Sequence, residues 1–148
     1  MQQRAEHPPR GAARTEEIES RFRDFGEAAS EFVRIVSAEE GISYRGEASA
    51  VKGNLNVMKK VFGKWSIEII LSIYSMKSVS FGELRRLLKG ISSRVLSKKL
   101  KDLEGLGFLE RSVIESSPPR VRYALSKRGE VLAKLGEPVI LYLRNSME

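Results

Sequence analysis

Apolar and polar positions along the chain alternate in two periods, and the change from one to the other outlines the protein. Leu96, Leu100 and Leu103 recur at four and three residues, which places them on one face of a helix over residues 92–106. At about 100° per residue, Arg94, Lys98 and Lys101 fall on the opposite face, with Ser97 beside them. Ser92 suits the N-cap, because its hydroxyl can accept an unpaired amide hydrogen of the first turn, and Gly107 closes the helix. Lys99 lies at the margin of the apolar face, where its stem would be covered and its ammonium group would snorkel outward.

Upstream, Ser80 and Glu83 stand at capping-box spacing and open a short helix through Leu84, Leu87 and Leu88 to Gly90. Two helices joined by the tight turn Lys89-Gly90-Ile91 form a helix-turn-helix pattern, with the Ser80 helix positioning and the Ser92 helix reading. Downstream the period shortens to two. Residues 108–114 predict one strand and 120–126 a second, in which Val121, Tyr123 and Leu125 alternate with Arg120 and Arg122. The loop between them carries Pro118 and Pro119, which stiffen its tip. Helix, turn, helix, strand, loop and strand, in that order, predict a winged helix-turn-helix over residues 54–126.

The flanks also have helical period. Residues 1–14 show none and read as a disordered tail. From Thr15 a helix is predicted with the stripe Ile18, Phe22, Phe25, Ala29, Phe32, Val33 and Val36, stopping near Gly41. Residues 42–53 read as a connector, so 15–53 forms an N-terminal arm. A short helix follows over 54–62, ending at Gly63. Residues 64–76 predict the most buried helix, with Trp65, Ile69, Ile70, Ile73 and Met76 inward and Trp65 as a core anchor. Ser126 caps a final helix over 127–148, where Pro138 predicts a kink or a break after Gly136. Its apolar end, residues 139–143, is expected to pair with the first helix of a second subunit. Ile18, Phe22, Phe25, Phe32, Val36, Leu135, Val139, Tyr142 and Leu143 are therefore the expected dimer interface. The fold class expected is mainly α with a small β-hairpin wing, flanked by N- and C-terminal dimerisation helices.

Charge narrows the function. The net charge of +7 is unevenly spread: residues 1–49 sum to −3, residues 50–128 to +11 and residues 129–148 to −1. Basic charge gathered on the helix-turn-helix and wing is the footprint of a polyanionic partner. Double-stranded DNA is the partner expected, with Ser93, Arg94, Ser97 and Lys98 at base edges and Ser80, Lys101, Arg120 and Arg122 on phosphate. Arg94 is the candidate for bidentate contact with guanine. The chain contains no cysteine and one histidine, His7, in the tail. That removes disulfides, thiol nucleophiles and cysteine metal sites, so no catalytic residue, metal or cofactor is expected. No apolar run reaches the ~18 residues of a membrane span, and the N-terminus lacks the apolar region of a signal peptide; a cytoplasmic protein is expected.

Gly63-Lys64-Trp65, Phe81-Gly82-Glu83-Leu84, Gly90-Ile91-Ser92, the leucine series to Leu106-Gly107, and Pro118-Pro119-Arg120-Val121-Arg122-Tyr123-Ala124-Leu125-Ser126 with Gly129 resemble the HxlR-type transcriptional regulators, winged-helix proteins of the MarR-like group. The resemblance covers about residues 54–135. It implies a homodimer on a pseudo-palindromic operator, held together by terminal helices. Two features depart from it. Many members carry an N-terminal cysteine used in some for thiol sensing, which this chain lacks, and the helix from Thr15 exceeds the usual short arm. A non-specific architectural DNA binder and a winged helix used for protein interaction stay open as alternatives. A small-molecule effector is compatible with the sequence, but no residue pattern identifies one.

Overall fold

In the computed structural model the described residues are 10–42 and 48–147. They form six helices and three strands: α1 (Arg10–Glu39), α2 (Ala48–Val61), α3 (Ser66–Met76), β1 (Ser78–Val79), α4 (Phe81–Leu87), α5 (Ser93–Gly105), β2 (Leu109–Ile114), β3 (Arg120–Leu125) and α6 (Lys127–Met147). The chain divides into two compact units, residues 1–51 and 52–148.

The second unit is built round the apolar face of α5. Leu96, Leu100 and Leu103 are buried together with Ile69, Ile70 and Ile73 of α3 and Leu84 of α4. Val79, Phe108, Leu109, Leu125 and Ala133 join the same core, so the sheet and α6 close it. Trp65 is half-buried against this cluster. The three strands form an antiparallel sheet in the order β1-β3-β2. Ser78 stands opposite Ala124, and β2 pairs with β3 from Leu109–Leu125 out to Ile114–Arg120.

Local chemistry sets the helix ends. The Ser80 hydroxyl accepts from the Glu83 N–H, and the Glu83 carboxylate accepts from the Ser80 N–H, a complete capping box. Ser92 caps α5 by accepting from the Val95 N–H at 3.2 Å. Gly90 and Gly107 take φ of 92° and 77°, in the left-handed region where a Cβ is disfavoured, and so turn the chain into and out of the α5 region. Ser126 caps α6, accepting from the Gly129 N–H at 3.0 Å while donating to the Gly107 carbonyl at 2.6 Å.

Several expectations are corrected. Helix α1 begins at Arg10, not Thr15, because Ala12, Ala13 and Arg14 favour helix; of the expected tail, residues 1–9, including His7, lie outside the described residues. The expected connector is shorter than 42–53, since α2 starts at Ala48 and runs through Gly53; residues 43–47 lie outside the described residues. The sheet gains a strand, β1, which exists only by pairing with β3. Met76 is exposed rather than inward, standing at the last turn of its helix. Helix α6 is not broken, since it continues as one helix through Pro138. Lys99 does not snorkel outward. Its ammonium group lies 3.4 Å from the hydroxyl of Ser66, a residue only 1% exposed.

Candidate nucleic-acid interface

Seating the leucines of α5 in the core turns its other face to solvent. Ser93, Arg94, Ser97, Lys98 and Lys101 are all exposed along that face, as the helical period requires. Their readiness differs. The side chains of Arg94, Ser97 and Lys101 make no hydrogen bond or ion pair among the described residues, so each is available to a ligand. Lys98 pairs with Asp102 one turn on, at 2.9 Å, and Ser93 accepts from Arg85 of α4 at 3.0 Å. Exposed i,i+4 pairs are worth only a few tenths of a kcal/mol, so a phosphate or a base edge can displace Asp102 from Lys98.

The wing strand is less uniform than its alternation suggests. Arg120 is exposed near the loop end of β3 and has no partner among the described residues. Arg122 turns inward. Its guanidinium donates to the Ser78 hydroxyl at 3.1 Å, to the Ser78 carbonyl and to the Glu83 carboxylate at 3.0 Å. A planar fork with five donors can join three acceptors in this way, and here it ties β3 to β1 and to the first turn of α4. Arg122 is therefore a strut of the fold, and a phosphate would have to share its guanidinium with Ser78 and Glu83. Ser80 is likewise committed to the capping box, although its hydroxyl hydrogen can still be offered to a ligand.

Reading the sequence missed Arg85 and Arg86, the exposed basic pair in the last turn of α4. Arg86 and Arg120 line a shallow depression with Ser80, Phe81 and Gly82, beside the paired Arg122 and Glu83, so two cations outside that pair border one surface. Consecutive arginines at the end of the positioning helix were the available signal.

The Glu83 carboxyl is held below the ordinary glutamate value of 4.5, first by the Ser80 N–H, then by the Ser80 side chain and by the positive charges of Arg122 and Arg86. A lowered folded-state pKa means that the carboxylate stabilises the fold above the unfolded-state pKa and loses that contribution as pH falls through the lower folded value. Thermal melts between pH 6 and pH 3 should accordingly fall more steeply for the natural chain than for Glu83→Gln, which cannot titrate. Parallel curves would show that the capping box does not contribute to acid lability.

The geometry thus presents a solvent-facing basic helix, a two-helix turn beneath it and a strand hairpin at its side. The HxlR-like helix-turn-helix family model matches residues 60–145. The chain belongs to this family. Among curated relatives it is similar to the HTH-type transcriptional regulator YdeP of Bacillus subtilis, 32% identical over 108 residues, covering 71% of this chain and 78% of that one. Among solved structures it is similar to a MarR-family transcriptional regulator from Enterococcus faecalis V583, with a TM-score of 0.58, 24% identity, and coverage of 71% and 93%. It is also similar to the transcriptional regulator ytfH from Salmonella typhimurium, with a TM-score of 0.51, 29% identity, and coverage of 68% and 98%. The protein is a helix-turn-helix transcription regulator with a MarR-like winged-helix fold, a class of DNA-binding regulators and not of enzymes. No helix among the described residues is long and apolar enough to cross a membrane.

Proposed function

We propose that the protein is a sequence-specific regulator that binds double-stranded DNA as a homodimer on a pseudo-palindromic operator and works in the cytoplasm. The observation that carries this reading is α5: three buried leucines hold the helix, and Arg94, Ser97 and Lys101 stand unpaired on its outer face. An α-helix of this kind fits the major groove, with its early turns nearest the bases. Ser93, Arg94, Ser97 and Lys98 would read base edges. Lys101 and Arg120 would hold phosphate, joined by Arg86, and the Ser80 hydroxyl would add a contact from the start of α4.

Apolar exposure supports the dimer. Phe25 and Phe32 of α1, and Leu135, Val139, Tyr142 and Leu143 of α6, are each about half exposed or more in the single chain. Large apolar side chains left exposed along one helix face mark association. Ile18, Phe22 and Val36 continue the α1 stripe and complete the proposed interface. The domain boundaries follow: an N-terminal arm for dimerisation, a winged helix-turn-helix from the middle of α2 through β3, and α6 as the second dimerisation helix.

The test is a pair of substitutions read on the same operator. Arg94→Ala should relax preference at one base position and weaken specific binding by roughly 1–3 kcal/mol. Arg120→Ala should weaken all sequences alike and reduce the slope of log affinity against log salt by about 0.9. An unchanged site preference after Arg94→Ala would remove that residue from base readout.

A further inference from the structure

Helix α1 has a feature that folding of its own unit does not explain. Among its apolar positions, Ile18, Phe22, Phe25, Ala29, Phe32 and Val36 keep a four-three alternation over about three heptads, a period of 3.5 residues rather than 3.6, with Val33 and Ile35 beside it. A sustained 3.5-residue repeat is the seam of a helix that packs along another helix. Phe25 and Phe32 on this seam are 52% and 66% exposed, so much of each ring is left open to solvent.

The seam is also nearly symmetric about Glu27. Laid antiparallel on a copy of itself, it brings Ile18 against Val36, Phe22 against Phe32, and Phe25 against Ala29. Each bulky phenyl ring at the centre meets a methyl group, twice over. The flanking central positions are Gly26 and Ala28, both exposed, and the space where a Gly26 Cβ would stand is open, so two backbones can approach closely. A parallel pairing would stack phenylalanine on phenylalanine at three levels, Phe22, Phe25 and Phe32, and leave Ala29 facing Ala29, whereas the antiparallel one has phenylalanine on phenylalanine only at the two Phe22–Phe32 levels.

Charge selects the same direction. The first turn of α1 holds no acidic residue and its last turn no basic one. Glu39 and Glu40 lie at the C-terminal end, against the preference set by the helix dipole, while Arg14 lies in the N-terminal part ahead of Glu16, Glu17 and Glu19. An antiparallel copy opposes the two dipoles and brings Arg14 level with Glu39 and Glu40 of the second chain. A parallel copy would set like charges together at both ends.

We propose that α1 pairs antiparallel with α1 of a second copy, across a two-fold axis level with Glu27 and passing between Phe25 and Ala29. The inference rests on the homodimer reading and specifies which element meets which: α1 is covered by α1, not by α6. The natural absence of cysteine makes the test direct. Single cysteines are introduced into the full chain as Ala28→Cys, Ile18→Cys and Val36→Cys, mildly oxidised and run on a non-reducing gel, while sedimentation reports the oligomeric state. Ala28→Cys should cross-link to itself, on the same side of the interface in both copies. Ile18→Cys and Val36→Cys should each stay uncross-linked alone and cross-link when co-expressed. Self-cross-linking of Val36→Cys would overturn the antiparallel arrangement. A sedimenting dimer with no cross-link at any of the three positions would overturn the pairing of α1 while leaving the homodimer standing. A sedimenting monomer would overturn both.

Discussion

Replacing Leu100 by alanine should cost about 2–5 kcal/mol, measured as the loss of unfolding free energy in urea. Leu100 is only 1% exposed and lies between Leu96 and Leu103 on the buried face of α5. The substitution removes apolar atoms from a core that α3, α4 and the sheet all share, and neighbours fixed by those elements can collapse only in part into the space. For a domain stabilised by about 5–15 kcal/mol, this is a large share of the total. The functional result follows from the same contacts. The leucines seat the helix whose other face carries Arg94 and Lys101, so DNA affinity should fall at temperatures where the variant begins to unfold and recover on cooling. A loss below about 1 kcal/mol would mean that the seam repacks and does not determine how α5 is held.

Gly129→Ala should be destabilising although it replaces glycine by the best helix former. Helix propensity alone favours the change by up to about 1 kcal/mol. The added Cβ, however, would lie 2.1 Å from the carbonyl oxygen of Phe108 and 3.3 Å from the Cβ of Leu125. Backbone must therefore move, and that backbone is already in use: the Phe108 carbonyl accepts from the Ser126 N–H at 3.0 Å, and Ser126 caps α6. Overpacking costs about 1–3 kcal/mol even when side chains can give way, and here the obstacle is a carbonyl. Gly136 in the same helix is the control, because beyond its neighbours and the backbone of its own turns no atom would lie within 4 Å of its Cβ. Thermal melts should show Gly136→Ala neutral or stabilising and Gly129→Ala clearly lower. Equal effects would mean that the junction of Phe108 with α6 yields freely.

Elements governed by local chemistry were legible from the residues alone. Ser80 with Glu83, Ser92 before the leucine series, and the alternation from Arg120 to Leu125 each specify their own geometry, and the structure reproduces them. What could not be read depends on distant partners. Two residues, Ser78 and Val79, have no period, and they become a strand only because Ala124 and Tyr123 lie opposite. Arg122 carries the same sequence signal as Arg120, yet Ser78 and Glu83, both far away in the chain, turn it inward. Pro138 interrupts the hydrogen-bond ladder of α6 without ending the helix, so a local breaker was overruled there. The basic face of α5 was legible because burial of Leu96, Leu100 and Leu103 leaves it no other orientation. Arg85 and Arg86 were missed because α4 was assigned a positioning role only.

The central proposal, that the outer face of α5 reads DNA sequence in a dimer, is tested most directly by selecting sites for the full chain from a random duplex library at low and near-physiological salt. The account predicts an enriched inverted repeat at both salts, its half-sites about one helical turn, or 34–36 Å, apart. Recovery of duplexes with no enriched sequence, and with affinity that falls away as salt rises, would contradict it and leave a non-specific binder in its place.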